Sequence, residues 1–193
     1  VVLDWLRQML GLSPEWRGVI TDTASISTLV AITAAREDIQ KHIREKGMAG
    51  RSDLPSLRLY CSEHTHSSVE KGAIVLGLGQ QNVRKIPSDS DFRMLPAALA
   101  NAISEDRASG HLPFCVVATV GTTSSTSIDP VPAISAICKS EGIWLHVDGA
   151  HGASALLSTK HRWRLDGVEL ADSLIWDAHK LLRTPGLCTA VLV

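Results

Sequence analysis

The chain has 193 residues, 45% of them hydrophobic and 20% charged, with 19 basic against 20 acidic side chains for a formal net charge of −1. That balance offers no positive field for nucleic acid or an anionic membrane, and the composition suits a folded globule rather than a disordered chain. Apolar runs such as Phe114-Cys-Val-Val-Ala118 are far too short to cross a bilayer.

In chain order, Val2, Leu3, Leu6, Met9 and Leu10 share one helical face, so the chain opens directly in an amphipathic helix. Gly18 to Thr21 reads as a short strand. A helix follows from Thr23 to about Ile39, with Leu29, Ile32, Thr33 and Arg36 at helical spacing. Residues 41–56 are polar and Gly-containing, the composition of a surface loop. Leu57 to Cys61 reads as a strand. Ser67-Ser-Val-Glu70 has the spacing of a capping box, which starts a helix running to about Leu78. Further strands are expected over 82–86, 114–120, 144–148, 173–176 and 188–193, with helices over 96–105 and 131–140. The chain closes on an apolar strand without a polar tail, and the expectation is a piece of a longer polypeptide. The four cysteines are widely spaced, with Cys61, Cys115 and Cys188 in strand-like runs. They read as buried, reduced thiols of a cytoplasmic protein, not as a disulfide frame or a zinc site.

Seven strands mostly separated by helices predict one α/β domain over 1–193, a mostly parallel sheet with helices on both faces. The link between Trp176 and Cys188 is too short for a helical crossover, so the last strand is expected to run antiparallel. Ligands of open α/β sheets sit beyond the carboxyl ends of the strands. Those ends carry Asp22-Thr-Ala-Ser25, Ser62-Glu-His-Thr-His66, Gly121-Thr-Thr123, Asp148-Gly-Ala-His151 and Asp177-Ala-His-Lys180.

Three of these features point to one chemistry. A lysine at a dry strand end, Lys180, is a candidate amine nucleophile. Asp148 is an acid able to hold a proton on a heteroaromatic nitrogen. Thr23, Ala24 and Ser25 open a helix, whose free amides and dipole favour a phosphate. Together they describe a site for pyridoxal 5'-phosphate.

The chain also resembles the group II pyridoxal-phosphate-dependent amino acid decarboxylases, which include the aromatic-L-amino-acid, glutamate and cysteine-sulfinate enzymes. The likeness rests on His66-Ser-Ser-Val-Glu70, Trp144-Leu-His-Val-Asp148-Gly-Ala150 and Ala171-Asp-Ser173 through His179-Lys180, in this order over essentially the whole chain. It implies the large domain of a fold-type-I enzyme that decarboxylates an L-amino acid through a Schiff base on Lys180, with an aromatic substrate favoured. In that pattern Asp148 pairs with the pyridine nitrogen, and His66 and Ala150 cover opposite ring faces. Thr123 approaches the ring hydroxyl, and Thr23, Ala24, Ser25, Ser173 and His179 surround the phosphate. The resemblance further implies a homodimer in the full-length protein.

The sequence departs from the family pattern in three places. Asp177-Ala178 replaces Asn-Pro before His179-Lys180, and an extra carboxylate there is expected to point away from the phosphate. His151 replaces a tyrosine. The family's mobile-loop tyrosine has no counterpart here, because the single tyrosine, Tyr60, sits in a strand. Other readings carry less. Lys180 as a solvated lysine is at odds with the apolar strand before it, and Asp148 as a strand-end cap leaves the rest of the pattern unexplained. His146, Asp148 and His151 lack further ligands for a metal. Gly77-Leu-Gly79 follows a helix, unlike a dinucleotide fingerprint, and Ser25 and Ser67 lack the context of a hydrolase nucleophile. Transamination or desulfuration on the same fold, and a non-catalytic truncated scaffold, are the alternative functions.

Overall fold

The computed structural model describes residues 1–193 and contains seven strands: β1 (Gly18–Thr21), β2 (Leu57–Ser62), β3 (Val83–Ile86), β4 (Leu112–Thr119), β5 (Trp144–Asp148), β6 (Ser173–Asp177) and β7 (Thr189–Leu192). They form a single sheet in the order β1-β7-β6-β5-β4-β2-β3. The pairs β2–β3, β2–β4, β4–β5 and β5–β6 are parallel, whereas β7 runs antiparallel to both of its neighbours, β6 and β1. Six helices accompany them: α1 (Val2–Leu10), α2 (Ala24–Asp38), α3 (Ile43–Lys46), α4 (Ser68–Val75), α5 (Pro96–Ala108) and α6 (Val131–Glu141). The fold is the predicted α/β arrangement with one reversed strand.

Strand periodicity explains the two layers of helix. Successive side chains point to opposite faces, and β4 is apolar on both, as a strand covered from both sides must be. Val116, Ala118 and Val120 join Tyr60, Leu145, Val147, Leu174 and Trp176 in one core beneath α1, α5 and α6. Cys115 and Val117 join Leu59, Cys61 and Phe114 in a second core with α2 and α4. On this second face Asp148 and Asp177 project from the carboxyl ends of their strands.

Three local expectations need correction. The buried stripe of α2 is Ser27, Thr28, Ala31, Ile32 and Ala35, so of the residues named from spacing Ile32 is on it and Leu29, Thr33 and Arg36 are beside it. Small side chains bring α2 down onto the sheet, which places its first turn at the carboxyl edge. Residues 41–56 contain the short helix α3 and bury Ile43 in the second core. Ser67 caps nothing, since its backbone is already helical (φ −59°, ψ −14°). Instead, Ser68 N–H donates to His66 Nδ1 at 3.2 Å, and Glu70 turns away to accept from Gln80 at 2.8 Å. The side chain that satisfies the start of α4 is therefore a predicted site histidine.

The segment between β5 and β6 is a string of 3-10 turns over Gly152–Leu157, Arg162–Leu165 and Val168–Leu170. Two glycines allow it to leave β5 tightly. A Cβ on Gly152 would lie 2.2 Å from Val120 O, and one on Gly149 would lie 2.9 Å from Ala153 Cβ. The turn is thus pressed against the end of β4, and this close approach fixes Asp148, Ala150 and His151 relative to Gly121. Cys188, expected in the last strand, precedes it and is only half-buried, while the other three cysteines are buried.

Candidate active site

A hollow at the carboxyl edge of the sheet is lined by Ala24, His66, Ser68, Thr119, Gly121, Thr123, Asp148, Ala150, His151 and Lys180. Its empty space, including the open mouth, is about 360 Å³. Six of the ten predicted site residues meet here: Ala24, His66, Thr123, Asp148, Ala150 and Lys180.

Each arrives by a separate structural device. Asp148 ends β5, and its Oδ1 accepts from Ala150 N–H at 3.1 Å, which turns the chain so that Ala150 borders the same space. Burial raises the Asp148 carboxyl above its usual range, opposed by the Ala150 amide and by the charge of Lys180. Thr123 stands on a loop built around Thr122, whose Oγ1 lies 2.7 Å from Ser125 Oγ and accepts from Ser127 N–H at 3.1 Å. The base of that loop is pinned by Asp129, which accepts from Thr119 N–H at 2.8 Å and Met94 N–H at 2.7 Å. His66 is held by Ser68 through both the amide and the hydroxyl, the latter at 3.0 Å. Lys180 lies in the turn after β6, with its Nζ 2.9 Å from Asp177 Oδ2.

The other four predicted residues fall outside the wall of the hollow. Thr23 caps α2, its hydroxyl accepting from Ile26 N–H at 3.4 Å, and Ser25 is exposed on the first turn. Both flank Ala24, and the Ala24 and Ser25 amides donate to no other group. Ser173 is at the wrong end of its strand. It begins β6, about 13 Å from Asp177 at the usual strand rise, and is buried beside Trp144 Nε1 and His146 Nδ1, each 2.9 Å from its hydroxyl. His179 is tied to the turn before β7, with Nδ1 3.0 Å from Cys188 O and 3.2 Å from Cys188 N. Asp177, expected to point away from the phosphate, faces Lys180.

Sequence reasoning missed Ser68 and Thr119. The first was hidden inside a segment read as a helix cap. The second was displaced because β4 ends one residue earlier than expected.

The donor set suits a phosphorylated pyridine aldehyde. An amine, a buried carboxylate with no cation bonded to it and the helix-start residue Ala24 border one opening, with the free amide of Ser25 next to Ala24. A model of the pyridoxal-dependent decarboxylase conserved domain matches residues 1–193. Bovine aromatic-L-amino-acid decarboxylase is 40% identical over all of this chain and 41% of its own length. The crystal structure of mouse CSAD superposes with a TM-score of 0.94 at 41% identity, covering 100% of this chain and 40% of that one. A rice (Oryza sativa) TDC solved with PLP and tryptamine gives a TM-score of 0.89 at 38% identity, covering 99% and 40%. The chain therefore spans about two fifths of the length of the relatives it matches. With the family match running end to end and Lys180, Asp148 and Ala24 bordering one hollow, this chain belongs to the pyridoxal-dependent decarboxylase family.

Proposed function

We propose that this chain is the cofactor-binding part of a decarboxylase that converts an L-amino acid, an aromatic one in preference, to the amine and carbon dioxide. The observation that carries the reading is the convergence of Lys180 and Asp148, from separate strands, on one hollow. The aromatic preference draws on the bovine relative and on the tryptamine-bound rice structure. Assembly as a homodimer and a cytoplasmic location are part of the same proposal.

Bound pyridoxal phosphate supplies a carbonyl that captures amines and a ring that takes up the electrons left on Cα when carbon dioxide departs. The chain's own groups do the rest. Lys180 provides the anchoring amine. Asp148 holds a proton at the ring nitrogen, a cationic partner that offsets the cost of burying its carboxylate. His66 and Ala150, which line the hollow, would cover the two faces of the ring, the small alanine side chain leaving room for a flat group. The Ala24 and Ser25 amides, at the positive end of α2, would bind the phosphate with Thr23 beside it, and Thr123 would approach the ring hydroxyl.

Mixing the protein with pyridoxal phosphate and reading its absorbance, with and without Lys180→Ala, tests capture. Supplying aromatic amino acids and cysteine sulfinate and measuring carbon dioxide tests turnover and preference. A band that requires Lys180 is the expected result for this chain, and carbon dioxide released fastest from an aromatic substrate is expected of the full-length protein. A band with amino transfer and no carbon dioxide would replace the reading with transamination.

A further inference from the structure

The last residue of β6, Asp177, is 1% exposed, yet no arginine reaches it. Its Oδ1 accepts from Thr189 Oγ1 at 2.6 Å. Thr189 is itself fully buried and lies directly opposite Asp177 across the β6–β7 pair, so the clamp is a cross-strand contact set by register. The other oxygen, Oδ2, is fully buried and has no aligned hydrogen bond. Its neighbours are Lys180 Nζ at 2.9 Å and His179 Nε2 at 3.7 Å. A buried carboxylate oxygen without a hydrogen bond is tolerated only beside a positive charge. The Lys180 side chain, 38% exposed at the mouth of the hollow, is the group placed to supply it.

We propose that Asp177 is a positioning residue for Lys180: clamped by the Thr189 hydroxyl, it holds the lysine as an ion-paired ammonium and sets how readily the amine is released to a carbonyl. The inference rests on the reading of Lys180 as the carbonyl-capturing amine. An ammonium has no lone pair to donate, so capture requires the proton to leave and the contact with Asp177 to be given up. The other titratable groups around the pair are Asp148 from β5, His66 ahead of α4, His151 after β5 and His179 in the turn itself. The packed residue from β7, Thr189, and that from α2, Ala24, carry no charge. Asp177 is therefore the one anion in direct contact with the amine.

The test is reductive trapping of pyridoxal phosphate on Lys180 across neutral to alkaline pH, read as peptide mass. The amine lone pair adds to the aldehyde carbon, water leaves, and borohydride delivers hydride to the C=N carbon while solvent protonates the nitrogen. In Asp177→Asn the trapping rate at neutral pH is expected to rise about tenfold, with the pH profile displaced downward by about one unit, the effect of removing one adjacent opposite charge. Thr189→Val, which frees the carboxylate without deleting it, moves the profile the same way by less, and Asp177→Glu restores part of the native profile. An unchanged or upward-displaced profile in a folded Asp177→Asn overturns the proposal. Should that variant not fold, an unchanged profile in Thr189→Val overturns it equally. Absence of any Lys180 label in the native protein at every pH would instead defeat the reading of Lys180 itself, and this inference with it.

Discussion

Tyr60 and Asp106, from β2 and α5, meet inside the larger core, where Tyr60 Oη donates to Asp106 Oδ2 at 2.8 Å. Asp106 Oδ1 in turn faces Arg84 at 3.0 Å and Arg58 at 3.5 Å. Burial, followed by the adjacent carboxylate, pushes the tyrosine hydroxyl far above its ordinary range, so it stays a donor at every working pH. Tyr60→Phe removes one hydrogen bond and leaves the arginines in place, so it should cost about 1–2 kcal/mol. Asp106→Ala orphans the buried hydroxyl and removes the carboxylate shared by the two arginines, although Arg84 keeps Glu105 and Ala102 O and Arg58 keeps Gln81 O and Asn82, and should cost about 2–3 kcal/mol. Urea unfolding of both variants checks the order. Equal losses would show that the arginines contribute nothing through Asp106.

Asp148 separates cofactor capture from chemistry. Asp148→Asn keeps the size and the Ala150 amide contact but removes the charge that retains a proton at a ring nitrogen. Lys180 should still be labelled by pyridoxal phosphate, while carbon dioxide release falls by roughly 10²-fold or more, the usual scale for losing one preorganised electrostatic group. Rates within a few-fold of native would remove Asp148 from the role given to it.

His146 gives the fold a pH signature of its own. Burial holds its pKa down to about 4, against 6.5 for the free side chain, and its Nε2 is buried without a partner. The folded state therefore keeps it neutral, while the unfolded chain takes up a proton below about 6.5. The stabilising contribution is fully present above that pH and declines as pH falls toward 4, by roughly 3 kcal/mol over the window. The carboxyls of the buried Asp129 and Asp148 and of Asp172, all raised by desolvation, act in the opposite sense. The difference between native protein and His146→Leu isolates the histidine. Denaturant midpoints at pH 5 and pH 7 should converge in the variant more than in the native chain.

The turn after β5 should resist any side chain. Gly152→Ala would press a methyl group to within 2.2 Å of the Val120 carbonyl oxygen and should cost about 2–3 kcal/mol. It should also weaken pyridoxal phosphate binding, because Asp148 and Ala150 hang on the same turn. Gly186→Ala, with nothing within 4 Å of the new carbon, serves as the control and should change stability by no more than about 0.5 kcal/mol. Thermal melts and a cofactor titration of the two variants check both expectations.

The legible part of this molecule was its periodicity. The doubly apolar run of β4, the short link before β7 and the polar residues at each strand end were enough to place Lys180 and Asp148 at one edge. What failed were positions fixed by contacts remote in sequence. Ser173 looked like a phosphate ligand because its motif neighbours Lys180, but a strand carries its first and last residues to opposite edges of the sheet. Ser67 matched a capping pattern, yet the imidazole of His66 was already bonded to the amide of Ser68. The orientation of Asp177 depends on Thr189, whose place opposite it is decided by β7 entering between β1 and β6. No local pattern encodes that insertion.

The same insertion governs the order in which the molecule can be made. β1, from the beginning of the chain, has hydrogen-bonded partners only in β7, from its end, with Thr21 opposite Thr189 and Gly18 opposite Leu192. During synthesis β1 must wait for the chain as far as Leu192 before it can pair, and such distant pairing is slow to close. The first turn of α2 follows β1 directly, and Thr189 clamps Asp177. Phosphate-binding amides and the lysine's counter-ion thus come into position in one late step, leaving any earlier, partly folded species unable to retain the cofactor.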